Sequence, residues 1–332
     1  MTAGQGRHER RPDADLHNGD WPAPGPPTPQ AWGTYGALSE VGALNNITPT
    51  TILDAVREVR LGQVHSLGIP IFNPRGDPLS PERPRAFHVV YRDFAHYQAG
   101  ICHPLPGGVA SVDDGIFVSC HGTTHIDALG HIIVDDQMWD GRGAELATPG
   151  LRWADVAALG ERGVVTRGVL IDVATDEGVD HLDRHRQVTL ADLLRVLDRE
   201  EVIVRPGDIV LLRTGSLARF YTGGAEAFFD AYSEPGLSYE PELLEWFRDQ
   251  RLAGLGSDTL SNELPIAPTV AAGYPLHRYL LRDLGVTFHE ALWLDDLAGA
   301  CRADGRYTGL YVASPLKLVG TSASPVNPLF IK

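Results

Sequence analysis

His121-Gly-Thr-Thr-His125-Ile-Asp127-Ala-Leu-Gly-His131 sets three histidines and one aspartate within eleven residues. Neutral imidazoles and a carboxylate are the donor set that Zn²⁺, Mn²⁺ or Fe²⁺ prefers. Among 13 histidines in 332 residues, two close neighbours would mean little. Three with an aspartate, separated by Gly, Thr and Ala that let the backbone turn tightly, make this segment the candidate active site. The competing reading is a turn whose histidines are simply solvated. His121 and His125 are four apart, so one helical turn would set them on one face, and Gly122 leaves a tight loop equally open. Either geometry converges both with Asp127, while His131 sits further along and need not be a ligand. Cys120 adjoins His121 and could be a ligand or a nucleophile, although such a cysteine is more often a small buried residue. Ser119 lacks the Gly-x-Ser-x-Gly elbow of a serine hydrolase.

The elements that must position this segment alternate along the chain. Thr48-Pro-Thr-Thr-Ile-Leu-Asp-Ala-Val predicts a capped helix with proline in its first turn. Residues 62–72 and 87–91 read as short strands. Asp113-Asp-Gly-Ile-Phe-Val-Ser-Cys predicts a strand that delivers the histidines at its C-terminal end. Residues 163–173, 206–215 and 252–258 read as buried strands, and residues 189–197 and 240–250 as amphipathic helices. A helix end and a short strand follow over residues 279–290, with a last strand at 309–314. Strands and helices alternating without repeats predict one mixed α/β domain over residues 32–332. Residues 1–31, polar and then proline-rich, predict a flexible N-terminal arm.

Composition narrows the class. Hydrophobic content of 43% with 21% charged residues is that of a soluble globular chain. A net charge of −15 argues against nucleic acid or an anionic membrane surface as partner. Three scattered cysteines point to a reducing cytoplasm, and the N-terminal residues lack the apolar core of a signal peptide. His88, His96 and His103 share no ligand spacing. Asp135-Asp136 reads as a solvated turn, and Arg213 with Asp258 as a structural pair or cap. Trp139, Tyr221 and Phe228 are candidates for lining a pocket.

At the histidine segment the chain resembles the cyclase/kynurenine formamidase-like family of metal-dependent hydrolases, whose signature is His-x-Gly-Thr-His-x-Asp-x-Pro-x-His. All four polar positions keep their spacing, with Thr123 in place of the glycine and Leu129 in place of the proline. The likeness extends through Trp32-Gly-Thr-Tyr-Gly, Gly207-Asp-Ile-Val-Leu-Leu-Arg-Thr-Gly215, Gly256-Ser-Asp258 and Ser324-Pro-Val-Asn-Pro. It implies a swivelling-domain-like mixed sheet packed by helices, assembled as a homodimer or homotetramer. It also implies His121, His125 and Asp127 as metal ligands and His131 as the acid/base. His277 and Glu290 would complete a second site, with His289 leaving that assignment open by one residue. The cofactor would be Zn or Mn, as one or two ions. The activity implied is hydrolysis of an amide, N-formyl or lactam bond in a small carbonyl compound, as in kynurenine formamidase and isatin hydrolase. A lactone or dienelactone hydrolase, a biosynthetic cyclase and a non-catalytic metabolite binder are the alternatives.

Overall fold

The computed structural model describes residues 31–36, 38–74, 76–230, 232–263 and 276–332. Apart from Ala31, the expected N-terminal arm lies outside the described residues. The centre of the fold is four parallel strands: β5 (Val165–Asp172), β7 (Ile209–Arg213), β9 (Gly254–Ser257) and β10 (Thr287–Glu290). These are mostly apolar or small, as strands covered on both faces must be, and Asp172, Arg213 and Glu290 end β5, β7 and β10. Side chains alternate, so Val169, Ile171, Val210 and Leu212 join one buried layer, and Leu170, Ile209 and Leu211 join the other.

Antiparallel strands extend the sheet on both sides. Beyond β5 lie β11 (Thr308–Val312), β13 (Leu329–Ile331) and β1 (Val64–Ser66); beyond β10 lie β4 (His125–Asp127) and β12 (Ala323–Pro325). The result is a nine-stranded mixed sheet in the order β1-β13-β11-β5-β7-β9-β10-β4-β12. One layer is covered by α4 (Val173–Asp176), α5 (Leu190–Arg199) and α7 (Pro241–Asp249), together with a π-helical segment, His277–Asp283. The other is covered by α3 (Val156–Arg162) and α8 (Asp295–Asp304), with α1 (Pro49–Val56) packed alongside. Thr48 and Thr189 cap α1 and α5 as their sequences predict, each through a reciprocal capping box. A two-stranded ribbon, β6 (Gln187–Val188) with β8 (Gly236–Leu237), completes this part.

Three expectations change. The histidine segment is neither a helical turn nor only a loop, because His125-Ile-Asp127 is itself a buried strand of the main sheet. The segment before it, β3 (Asp113–Phe117), pairs only with β2 (Phe87–Arg92) in a separate exposed ribbon. That ribbon includes α2 (Phe94–Gln98) and stands apart from the core. Helices α6 (Ser216–Phe229) and α8 are additional to those expected, as are the shorter α2, α3 and α4. Gly223 and Gly224 interrupt the periodicity of α6, whose backbone departs from helical geometry at Gly224, and the Ala-Gly-Ala-Cys run of α8 carries a weak apolar stripe. Among the described residues no helix is long and apolar enough to cross a membrane.

Candidate metal centre

Strand pairing assembles the site. His125 and Asp127 are two residues apart on β4 and therefore share a face. The antiparallel register sets Glu290 of β10 directly opposite His125 and His289 opposite Ile126. Glu290 thus joins His125 on the site face while His289 points away, held between the Tyr311 hydroxyl at 2.9 Å and the Thr287 hydroxyl at 3.1 Å. Of the two candidates, Glu290 is the one that faces the cluster. His121 enters from the turn closed by Gly122 N–H to the Ser119 carbonyl. His277 enters from the start of the π-helical segment.

Four side chains meet around Asp127. Its Oδ1 lies 2.8 Å from His121 Nδ1 and 3.3 Å from His125 Nε2, and its Oδ2 lies 3.9 Å from His277 Nε2. Glu290 lies 3.2 Å from His125 Nε2 and 3.6 Å from His277 Nε2. Two ligand-like groupings share Asp127: His121–His125–Asp127 and Asp127–His277–Glu290. Other groups of the chain orient the donors. His125 Nδ1–H donates to the Thr123 carbonyl at 2.8 Å, which leaves Nε2 facing the cluster. Glu263 binds His277 Nδ1 and also accepts the backbone N–H groups of Leu276 and His277. Ser322 meets His121 Nε2 at 2.9 Å, and Asn262 donates to Glu290 at 3.2 Å.

The donors fit a cation. His125 Nε2 and both Asp127 carboxylate oxygens are buried without a hydrogen-bond partner, although every one of them has polar neighbours within reach. Buried polar atoms are ordinarily satisfied, and lone pairs converging on one point without bonding each other are arranged for an ion. The electrostatics agree. Burial works against an imidazolium at His125, yet Asp127 and Glu290 outweigh it and push its pKa up to about 10. His277 is likewise raised to about 9 against burial, chiefly through Glu263. Burial and the Asp127 charge raise Glu290; Asp127 is held at about 2 against burial by the surrounding histidines. Lacking another cation, the two carboxylates draw protons onto their histidines.

His131 follows on a short 3-10 turn, Leu129–His131. Gly130 is required there, because a Cβ would sit 2.6 Å from the Trp153 carbonyl oxygen. The His131 ring centre lies 4.3 Å from that of His121 and 6.3 Å from that of His277. Burial, with help from His277 and His125, lowers its pKa to about 4 in spite of Asp127, so the ring is neutral at pH 7. A cavity of about 300 Å³ opens over the cluster, lined by His121, His125, His131, His277 and Glu290 and by Arg83, Tyr232, Leu260 and Ala291.

The model of the Cyclase family matches residues 59–263. A crystal structure of a novel cyclase aligns with 30% identity over 92% of this chain and 100% of its own, at a TM-score of 0.83. The chain belongs to the Cyclase family. Two isatin hydrolases share the family fold: one bound to the product analogue thioisatinate, with 20% identity over 85% of this chain and 98% of its own at a TM-score of 0.58, and isatin hydrolase A from Ralstonia solanacearum, with 21% identity over 86% and 98% at 0.56. No curated protein matches the chain at a significant level. The Cyclase family match ends at Glu263, so His277 and Glu290 lie beyond the matched residues.

Sequence reasoning missed Glu263, Asn262, Ser322, Arg83 and Tyr232. None has a local motif; Glu263 and His277 are fourteen residues apart. Of the other candidates, Trp139 and Phe228 are core residues. Arg213 bridges Asp172 and Asp295, and Asp258 accepts hydrogen bonds from Thr214 and Gly215. His88 and His96 pair with Asp114 and Asp93 on the ribbon. Burial raises the Cys120 thiol, and Cys120 is not part of the cavity wall.

Proposed function

We propose that this protein is a metal-dependent hydrolase that opens an amide, N-formyl or lactam bond of a small carbonyl compound. The observation that carries the reading is the set of three orphaned buried atoms, His125 Nε2 and Asp127 Oδ1 and Oδ2, in a cluster whose histidines and Glu290 line a cavity. His121, His125 and Asp127 would hold one divalent ion, Zn or Mn, and Asp127, His277 and Glu290 a second. An ion there supplies a Lewis acid for a carbonyl oxygen and lowers the pKa of water to about 7. The isatin hydrolases of the same fold support a C–N bond as the target.

The protein's own residues divide the remaining work. His131, neutral at pH 7 and facing the cavity, accepts a proton from the attacking water and returns it to the leaving nitrogen. Arg83 is anchored by one hydrogen bond to the His121 carbonyl and lines the cavity, where its charge favours the carboxylate that amide hydrolysis produces. Thr123, Glu263 and Asn262 hold His125, His277 and Glu290 in place, which fixes the donors before substrate enters.

The test strips the protein of metal, restores Zn or Mn, and measures turnover of N-formylkynurenine, isatin and a panel of small lactones. Ion-dependent hydrolysis of a C–N substrate is expected. His131→Ala should retain metal and lose turnover. Turnover of lactones alone would move the substrate class to esters, and absence of both metal uptake and turnover would overturn the reading.

A further inference from the structure

A second cavity opens at the end of β10 opposite the metal centre. Glu290 closes β10 at its C-terminal end, whereas this cavity lies against Leu252 and Val286, just before β9 and β10 begin. Four steps of strand, roughly 13 Å, separate Val286 from Glu290. The cavity holds about 400 Å³, within the range of small-molecule sites. Its floor is buried and apolar, made by Ala43, Phe247, Leu252, Leu284 and Val286.

The rim supplies hydrogen-bond donors. Tyr35, Asn46, Arg248 and Arg251 line the cavity and no aspartate or glutamate does, in a chain with 43 acids against 28 lysines and arginines. Arg251 makes no ion pair among the described residues. Its guanidinium donates to the Asn46 Oδ1 at 3.3 and 3.4 Å, longer than an ordinary N–H···O bond. Asn46, itself buried, donates through Nδ2 to the Tyr35 oxygen at 3.2 Å, so the phenolic proton stays available to another acceptor. Arg248 commits only one of its five N–H groups, Nε, to Asp249 at 2.7 Å. Donors without an acid among them, over an apolar floor, select an anion with an apolar body. A cation would meet two guanidiniums, and a bare phosphate would leave the floor uncovered.

The backbone fixes Arg251 at the rim. Leu252 N–H bonds the Phe247 carbonyl and Arg251 N–H the Arg248 carbonyl, the paired bonds of a Schellman turn that ends α7. Arg251 takes the left-handed position of that turn, with φ 54°, which glycine favours. Helix α5 ends in the same way at Glu201, with φ 53°, so the conformation by itself marks no site. It does supply a test, because glycine at 251 removes the guanidinium and suits the turn.

We propose that this cavity binds a small carboxylate with an apolar body, with its charge at Arg251 and Tyr35. The binding stands independently of the reaction at the metal centre. Isothermal titration calorimetry of the full metal-loaded chain with 1-naphthoate should show it. The neutral 1-naphthamide should bind about tenfold or more weakly, the worth of a charge-assisted hydrogen bond. Arg251→Gly should bring 1-naphthoate down to the level of the amide, and Arg83→Met, in the cavity over the metal centre, should leave its affinity unchanged. Hydrogen exchange of the wild type locates the ligand however the variants fold: 1-naphthoate should slow amides of residues 43–46 and 247–252. Absence of binding, affinity no better than that of inorganic phosphate or of the amide, or a folded Arg251→Gly protein that binds as well as wild type would overturn the proposal. So would protection confined to residues 121–131, which would give the ligand to the metal centre.

Discussion

Two buried acidic clusters sit at strand ends of the same sheet, and they are neutralised differently. At the ends of β5 and β7, Arg213 donates to Asp172 at 2.9 Å and to Asp295 at 2.6 and 3.2 Å, and Thr175 satisfies Asp172 further. Burial disfavours the guanidinium charge, and the two aspartates more than restore it. At β4 and β10, the only cationic groups near Asp127 and Glu290 are imidazoles, and both Asp127 oxygens lack a hydrogen-bond partner. Taking carboxylates out of water is expensive unless positive charge compensates them. In the first cluster the chain encodes that charge. In the second it leaves the place for a charge from outside.

The contrast can be broken by single substitutions. Arg213→Met removes the encoded cation and should cost about 3–5 kcal/mol in urea unfolding, with metal uptake by the folded protein unchanged. Asp127→Asn removes a carboxylate that only titratable imidazoles compensate, so the metal-free protein should lose less stability than Arg213→Met does. What it should lose is stabilisation by added metal, about 2.7 kcal/mol at a hundredfold excess over Kd. A metal-free Asp127→Asn protein as damaged as Arg213→Met would erase the distinction. Glu263→Gln, which weakens the anchor of His277, should lower metal affinity about 10–100-fold by competition with a chelating dye.

The smallest effect separates the two faces of β10. His289, buried behind the site, has its pKa lowered to about 3 by burial. Below pH 6.5 the unfolded chain binds a proton there that the folded chain does not, so this contribution to stability is present above pH 6.5 and is lost as pH falls towards 3. Its slope reaches at most about 1.4 kcal/mol per pH unit. The pH dependence of unfolding should flatten in His289→Gln by that component. An unchanged slope would mean that His289 is accessible to protons in the folded state.

Much of this was legible in order of residues. Thr48-Pro49 and Thr189 announced helix starts because capping is local. The apolar runs at 165–172 and 209–213 announced central strands because both of their faces must be covered. Helix α6 was illegible because Gly223 and Gly224 break its periodicity, and the exposed ribbon was illegible because its apolar residues resemble those of core strands. Glu290 against His289 could be decided only by register, which sends one to the site and the other behind it.

The sequence alone determined the donor types and their spacing from His121 to His131, since backbone alternation and tight turns act over a few residues. It also determined the family and the α/β class. Only the tertiary structure brought His277, Glu290 and Glu263 to Asp127, because pairing of β4 with β10 joins segments more than 160 residues apart. The same pairing strips Asp127 of water without giving it a hydrogen-bond partner, and that unmet charge turns a histidine-rich stretch into a candidate metal centre.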